Sequence, residues 1–169
     1  MTIGYRDGTP GDIAAIDGLF RATFCDTFAH LYADEDLQTF LGKFTPEAWA
    51  EEMADPDYAF RLADDDGHTI GYVKLGPLML PIAAADSACE LRQLYVLKDW
   101  HGSGIARALM DWTLAEAERR QVRDLYLTVY TDNHRAMRFY QRYGFVAVGH
   151  YDFMVGSHAD QDIIMKRVL

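Results

Sequence analysis

The stretch His101-Gly102-Ser103-Gly104-Ile105-Ala106 decides the reading of this chain. An apolar, strand-like segment, Leu91 to Val96, precedes it, and a helix-like segment begins at Ile105. Strand, glycine-bearing loop and helix start form an anion site, because free backbone N–H groups and the positive end of the helix converge on the loop. Gly102 and Gly104 let the backbone approach a phosphate with no side chain between them. The arrangement suits a pyrophosphate, so a phosphorylated cofactor is the leading hypothesis. Two nucleotide patterns are excluded. The mononucleotide P-loop places Lys and Ser or Thr after its last glycine, where Ile105 and Ala106 stand here. The dinucleotide fingerprint needs three glycines and an acidic residue ~20 positions later, which Ser-Gly-Ile-Ala does not match.

The composition bounds the rest. A chain of 169 residues is expected to form one domain, over residues 1–169, and to bury ~70% of its unfolded surface. Half of the residues are hydrophobic, which excludes a disordered chain. No run approaches the ~20 apolar residues that cross a bilayer, and the N-terminus lacks a basic-then-apolar signal, so no membrane partner is expected. Cys25 and Cys89 show no metal or redox spacing and read as reduced thiols of a cytoplasmic protein. No metal is expected. The net charge of −10 argues against nucleic acid, whose phosphates demand a basic face. That charge is unevenly spread. Residues 1–90 carry 17 acidic and 5 basic side chains, whereas residues 91–169 carry 9 and 11. An anionic cofactor is therefore expected against the second half and a cationic ligand against the first.

Periodicity gives the elements. Thr2 to Tyr5 reads as a first strand, closed by the Asp7-Gly8-Thr9-Pro10 turn. Ile13, Ile16, Leu19, Phe20, Phe24 and Phe28 recur at three and four, which predicts an amphipathic helix over 11–29. Helices are predicted over 34–41 and 46–53, the latter capped by Thr45 with Pro46 at its first position. Residues 58–63 and 69–75 make a hairpin around Asp65-Asp66-Gly67, and 76–88 form a connection. Then follow strand 89–97, helix 104–120, strand 124–130, helix 133–142 and strands 145–152 and 161–168. One mixed α/β domain with its parallel part in the centre is the economical arrangement.

A second motif lies about 30 residues beyond the loop. Asn133, Ala136, Phe139, Tyr140, Gly144 and Phe145 spell Asn-x-x-Ala-x-x-Phe-Tyr-x-x-x-Gly-Phe, an apolar helix face with Asn133 at its start and a glycine after its end. Loop and motif together, in strand–helix order, resemble the GNAT superfamily of acyl-CoA-dependent N-acetyltransferases over most of the chain. The resemblance implies a GNAT fold: an α/β (α+β) chain with a mixed, mostly antiparallel sheet of about seven strands flanked by helices and a splayed parallel pair at its centre. It implies acetyl-CoA as co-substrate and a primary amine as acceptor. The superfamily's loop usually begins with Gln or Arg, and His101 replaces it here. Thr23-Phe24-Cys25-Asp26-Thr27-Phe28, Gly71-Tyr72-Val73-Lys74 and Asp162-Ile163-Ile164-Met165 are further similar to bacterial spermidine/spermine N-acetyltransferases.

The resemblance also implies roles. Leu94 and Val96 would meet the cofactor through main chain on the splayed strand, with the Val96 N–H polarising the thioester carbonyl. Gly102, Ser103, Gly104, Ile105 and Ala106 would hold the pyrophosphate, with His101 and Arg107 beside it. Asn133 would contact the pantetheine arm, and Arg135 or Arg142 a phosphate. Tyr140 matches the usual general acid, since a phenol with an ordinary pKa of ~10 keeps its proton at pH 7. Polyamine transferases often carry a Glu where Arg92 stands, so Glu90, one step away on the same strand face, is the candidate base, directly or through water.

Acceptor contacts are expected from Phe24, Phe28, Tyr32, Tyr130 and the 76–88 connection, with Asp26, Asp34, Glu35 and Asp36 attracting a polyamine. Three functions stay open at this point: a polyamine acetyltransferase, a transferase for protein, peptide or other small amines, and a non-catalytic acyl-CoA-binding module. Dimers are common among proteins of this resemblance, which leaves a homodimer open, and nothing in the sequence fixes an interface.

Overall fold

A computed structural model describes residues 2–84 and 86–169. Seven strands form a single sheet in the order β1-β2-β3-β4-β5-β7-β6. The strands are β1 (Gly4–Asp7), β2 (Ala59–Asp65), β3 (His68–Pro77), β4 (Ala88–Val96), β5 (Asp124–Tyr130), β6 (Val146–Val155) and β7 (His158–Val168). Every neighbouring pair is antiparallel except β4 and β5. The helices are α1 (Ile13–Phe28), α2 (Asp34–Leu41), α3 (Pro46–Ala54), α4 (Ile105–Arg119) and α5 (His134–Arg142).

Each sheet face is covered by its own helices. Ile16, Leu19, Phe20 and Phe24 of α1, with Trp49 of α3, pack on Phe60, Leu62 and Tyr72. Ile105, Leu109 and Met110 of α4 pack on the other face, against Val73, Leu91, Leu125 and Leu127. Each such side chain contributes roughly 1.5–3 kcal/mol by leaving water, so these two layers dominate the stability. Thr45 caps α3 as its sequence predicts, its hydroxyl accepting from Ala48 N at 3.1 Å.

Some boundaries move. The first strand runs over Gly4–Asp7 rather than 2–5, because Arg6 ties its far end to Asp12 at 2.8 Å and Asp64 at 2.6 Å. The last two strands are longer than predicted and meet in a tight turn at Gly156-Ser157. That turn docks on α2, where Asp36 Oδ1 accepts from the Ser157 N–H and hydroxyl, both at 2.8 Å. A Cβ at Gly156 would lie 2.5 Å from Asp36, so only glycine permits the approach. Among the described residues, no helix is long and apolar enough to cross a membrane.

The sheet is split at its centre. β4 and β5 pair only at Ala88 with Asp124, Cys89 with Leu125 and Glu90 with Tyr126. Past Glu90 the strands diverge. The cause lies in β4, whose pairing with β3 passes from Leu91 opposite Leu75 to Gln93 opposite Lys74 and leaves Arg92 as an extra residue. A bulge of this kind bends and twists its strand, here away from β5. It also resets the alternation of faces, so that Leu94 and Val96 pack toward α4 while Tyr95 joins the α1 side.

Candidate active site

The split opens into a cleft of about 890 Å3 that passes through the sheet. Its first half is made of backbone donors. Gly102 (φ +80°) and Gly104 (φ +89°) adopt left-handed conformations that a side chain strains, and Gly104 caps α4. The first intrahelical bond runs from Ala108 N to Gly104 O, so the N–H groups of Ile105, Ala106 and Arg107 are left pointing out of the helix end. Leu97 N–H donates to Ile70 O on β3 at 2.9 Å. Strand alternation therefore turns the N–H groups of Val96 and Leu94 to the open edge of β4.

Side chains complete this half. Arg135 Nη1 lies 2.7 Å from His101 Nδ1, and His101 Nε2 lies 2.9 Å from Val96 O. Arg135 can only donate, so Nδ1 accepts and the proton resides on Nε2, bonded to the Val96 carbonyl. Asn133 uses its Oδ1 to cap α5 through Ala136 N at 3.3 Å, which leaves its amide NH2 for the cleft. Arg107 and Arg142 line the same region. Ser103 does not. Its N–H and hydroxyl both donate to Trp100 O, inside the turn.

These features fit a CoA-type ligand: a cradle of free N–H groups with no Cβ over it, flanking arginines, and an unpaired strand edge able to hydrogen-bond an amide-bearing arm. A Gly104→Val substitution checks the cradle. A β-branched residue in the left-handed region is strained by roughly 1–2 kcal/mol, and the loop relieves this by moving its N–H groups. The Kd for CoA, measured by calorimetry, is expected to rise by roughly tenfold. An unchanged Kd would remove the loop from the site.

Tyr140 stands on the cleft wall, partly buried, its ring against Phe139 and Phe145 at centroid distances of 5.5 and 6.0 Å. Burial pushes its phenol up to about 12.

The other half of the cleft lies toward α1 and is aromatic and charged. Phe24, Phe28, Tyr32 and Tyr130 line it together with Met79 and Leu80 of the 76–88 connection, as expected. The expected carboxylates do not: Asp26, Asp34, Glu35 and Asp36 are all outside the cleft, since α2 turns its acidic first turn away and Asp36 holds the β6–β7 turn. Four others replace them, Glu52, Glu90, Asp160 and Asp162. Glu90 is 7% exposed, accepts from Met79 N at 3.1 Å and lies 3.4 Å from Arg92 Nη1. Burial raises its carboxyl, against the pull of Arg92. Lys74 is 3% exposed, 2.7 Å from Glu52 and 4.9 Å from the Trp49 ring centre. Burial lowers its ammonium more than Glu52 raises it. Arg92 Nε is buried with no hydrogen-bond partner among the described residues.

A splayed parallel pair beside a glycine-started helix, with a tyrosine facing the gap, defines an acyl-CoA transferase site, and the chain belongs to the GNAT acetyltransferases. Residues 28–157 match the Acetyltransferase (GNAT) domain. Acetyl-CoA is the co-substrate of this family, and the protein is an N-acetyltransferase. An uncharacterized N-acetyltransferase of Mycobacterium tuberculosis is 36% identical over 138 residues, 81% of this chain and 85% of the relative. Another, from Lactobacillus delbrueckii subsp. lactis, is 26% identical over 94% of this chain and 92% of its own. Among solved structures, the PaiA N-acetyltransferase of Thermoplasma acidophilum in complex with coenzyme A superposes with a TM-score of 0.80 over the full length of both chains, at 22% identity. The ribosomal-protein-alanine N-acetyltransferase of Brucella melitensis gives 0.75 over 98% of this chain and 99% of its own, at 23% identity.

Proposed function

We propose that this enzyme acetylates a primary amine of a polycationic acceptor, with a polyamine of the spermidine or spermine type as the first substrate to test. The single observation behind this reading is the polarity of the cleft. Donors line the half at Gly102 to Arg107, while aromatic rings and four carboxylates line the other, Glu52 and Glu90 facing Lys74 and Arg92 and leaving Asp160 and Asp162 as the excess of negative charge. A chain of ammonium groups suits a cleft wall that combines carboxylates with ring faces.

When bound, acetyl-CoA supplies the activated acyl group. Gly102, Gly104 and the N–H groups of Ile105 to Arg107 take its pyrophosphate, with Arg107, Arg142 and the His101–Arg135 pair around them. The open edge of β4 at Leu94 and Val96 and the Asn133 amide hold the arm. The Val96 N–H is the donor assigned to the acyl oxygen, where developing charge is best stabilised by a fixed dipole. Tyr140 supplies the proton that the departing sulfur requires.

Release of free CoA thiol from acetyl-CoA at pH 7.5 to 9 tests this, with spermidine, spermine, putrescine, lysine, amino sugars and lysine-bearing peptides as acceptors. Saturable release with spermidine or spermine well above the others is the expected result. Preference for another amine removes the polyamine assignment and keeps the acyl transfer. One observation favours a specific second reading. The buried, partnerless Arg92 Nε beside Lys74 suits an acceptor that carries a carbonyl or carboxylate near its amine, as a peptide does.

A further inference from the structure

Two carboxylates on β7, counted so far only toward acceptor binding, have no part in the proton transfers. Asp160 and Asp162 are two residues apart, so strand alternation turns both to one face, and both line the acceptor half of the cleft. They are 4% and 7% exposed. Asp160 is accounted for, since the Tyr32 hydroxyl donates to it and His158 Nε2 lies 3.2 Å away. Asp162 has no ion-pair partner among the described residues. Its polar neighbour is the Thr128 hydroxyl. A carboxylate this deep normally has a cation beside it, so the position points to a cationic ligand.

We propose that Asp162 is the group that deprotonates the acceptor ammonium, and that Asp160 beside it draws the ammonium in. The inference rests on the acyl-transfer reading above. In the step, one N–H bond of the ammonium breaks and an O–H bond forms on the Asp162 carboxylate, leaving a neutral amine and a neutral acid. The amine lone pair then forms the new N–C bond as the C–S bond breaks. The second nitrogen proton balances the one delivered to sulfur, and the proton on Asp162 leaves through the cleft to water.

The surroundings support the assignment. In register, Asp162 lies opposite Tyr130 of β5 and Tyr151 of β6. Tyr95 of β4 lines the same cleft as Asp162 and Tyr140 and feels the charge of both. The titratable groups facing Asp162 are thus Asp160, Tyr32, Tyr95, Tyr130 and Tyr151, with His158 behind Asp160, and none of them is a fixed cation. Burial first, and the Asp160 charge second, raise the Asp162 carboxyl to about 7, against the Thr128 hydroxyl. A base titrating there changes charge at working pH. Glu90, the carboxylate expected from sequence, already faces Arg92 and the Met79 N–H.

The test is the pH profile of kcat/KM for CoA release, with the fastest amine of the panel, for wild type, Asp162→Asn, Asp162→Glu and Glu90→Gln. Wild type is expected to rise through a limb near pH 7. In Asp162→Asn that limb disappears and kcat/KM at pH 7.5 falls by at least about tenfold, while the Kd for CoA is unchanged. Glu90→Gln keeps the limb in place. Asp162→Glu keeps a limb but displaces it, and an undisplaced one overturns the proposal even if the asparagine variant does not fold. A limb that survives in Asp162→Asn, or that moves in Glu90→Gln instead, overturns the proposal and leaves acyl transfer standing. No CoA release from wild type with any amine overturns both.

Discussion

Tyr140→Phe is expected to lower kcat for acetyl transfer by roughly 10²-fold or more and to leave the Kd for acetyl-CoA close to the wild-type value. The substitution removes one oxygen. The Tyr140 ring packs against Phe139 and Phe145, and its hydroxyl makes no hydrogen bond among the described residues, so no partner there is orphaned and the fold should hold. Burial pushes the phenol up to about 12. Two consequences follow from that single fact. The proton stays on the oxygen across the whole assay range, so the wild-type profile should show no loss of a Tyr140 proton below pH 10. A free phenolate in this position is also costly, so the proton given to sulfur has to be replaced in the same event by the one the amine nitrogen loses. Steady-state kinetics on both proteins, with melting curves as control, check this. A variant with unchanged kcat and a raised KM for acetyl-CoA would make Tyr140 a packing residue.

The parts of this site that are contiguous in sequence were legible there. A strand, a glycine loop and a helix start are neighbours along the chain, so His101 to Ala106 announce the cradle without knowledge of the fold. The same holds for Asn133 to Phe145, whose cap, apolar face and terminal glycine are local. What lies across the sheet was not. Arg92 is one residue too many for β4, and a single extra residue reverses which face each later side chain occupies. Period-two reasoning therefore carries through Glu90 and Arg92 and then misplaces Leu94 and Tyr95. Lys74 and Glu52 meet only because α3 folds back over β3. The charge balance points to carboxylates of the acidic first half, yet Asp160 and Asp162, which line the cleft, belong to the mildly basic second half. A signal for them did exist in the sequence. Asp160 and Asp162 stand at alternate positions directly before the apolar run Ile163-Ile164-Met165, which places two charges on one face of a strand about to enter the core.

Asp162→Asn is expected to stabilise the protein above neutrality and to lose that advantage in acid. The folded carboxyl keeps its proton up to about pH 7, raised by burial and by Asp160, whereas an unfolded aspartate gives it up near 3.9. Between those values the folded state binds more protons than the unfolded one, so wild-type stability falls as pH rises through this window. Above pH 7 the penalty is present in full. A displacement of that size corresponds to on the order of 4 kcal/mol. Asparagine resembles the neutral acid in shape, and its NH2 can donate to the adjacent Asp160 carboxylate. At pH 8.5 the variant should therefore melt roughly 5–10 °C above wild type, and at pH 4 the two should nearly coincide. Melting curves at half-unit steps between pH 4 and 9 measure this without any substrate, and so independently of the assigned chemistry. A gap that does not change with pH would show that the folded carboxylate is satisfied as an anion, and a base of pKa near 7 would then be untenable at this position. If the gap does open with pH, the chain carries an unpartnered buried negative charge throughout the range in which an amine must lose its proton. An ammonium entering the cleft relieves that charge on arrival, so part of its binding and the first proton transfer draw on the same stored electrostatic cost.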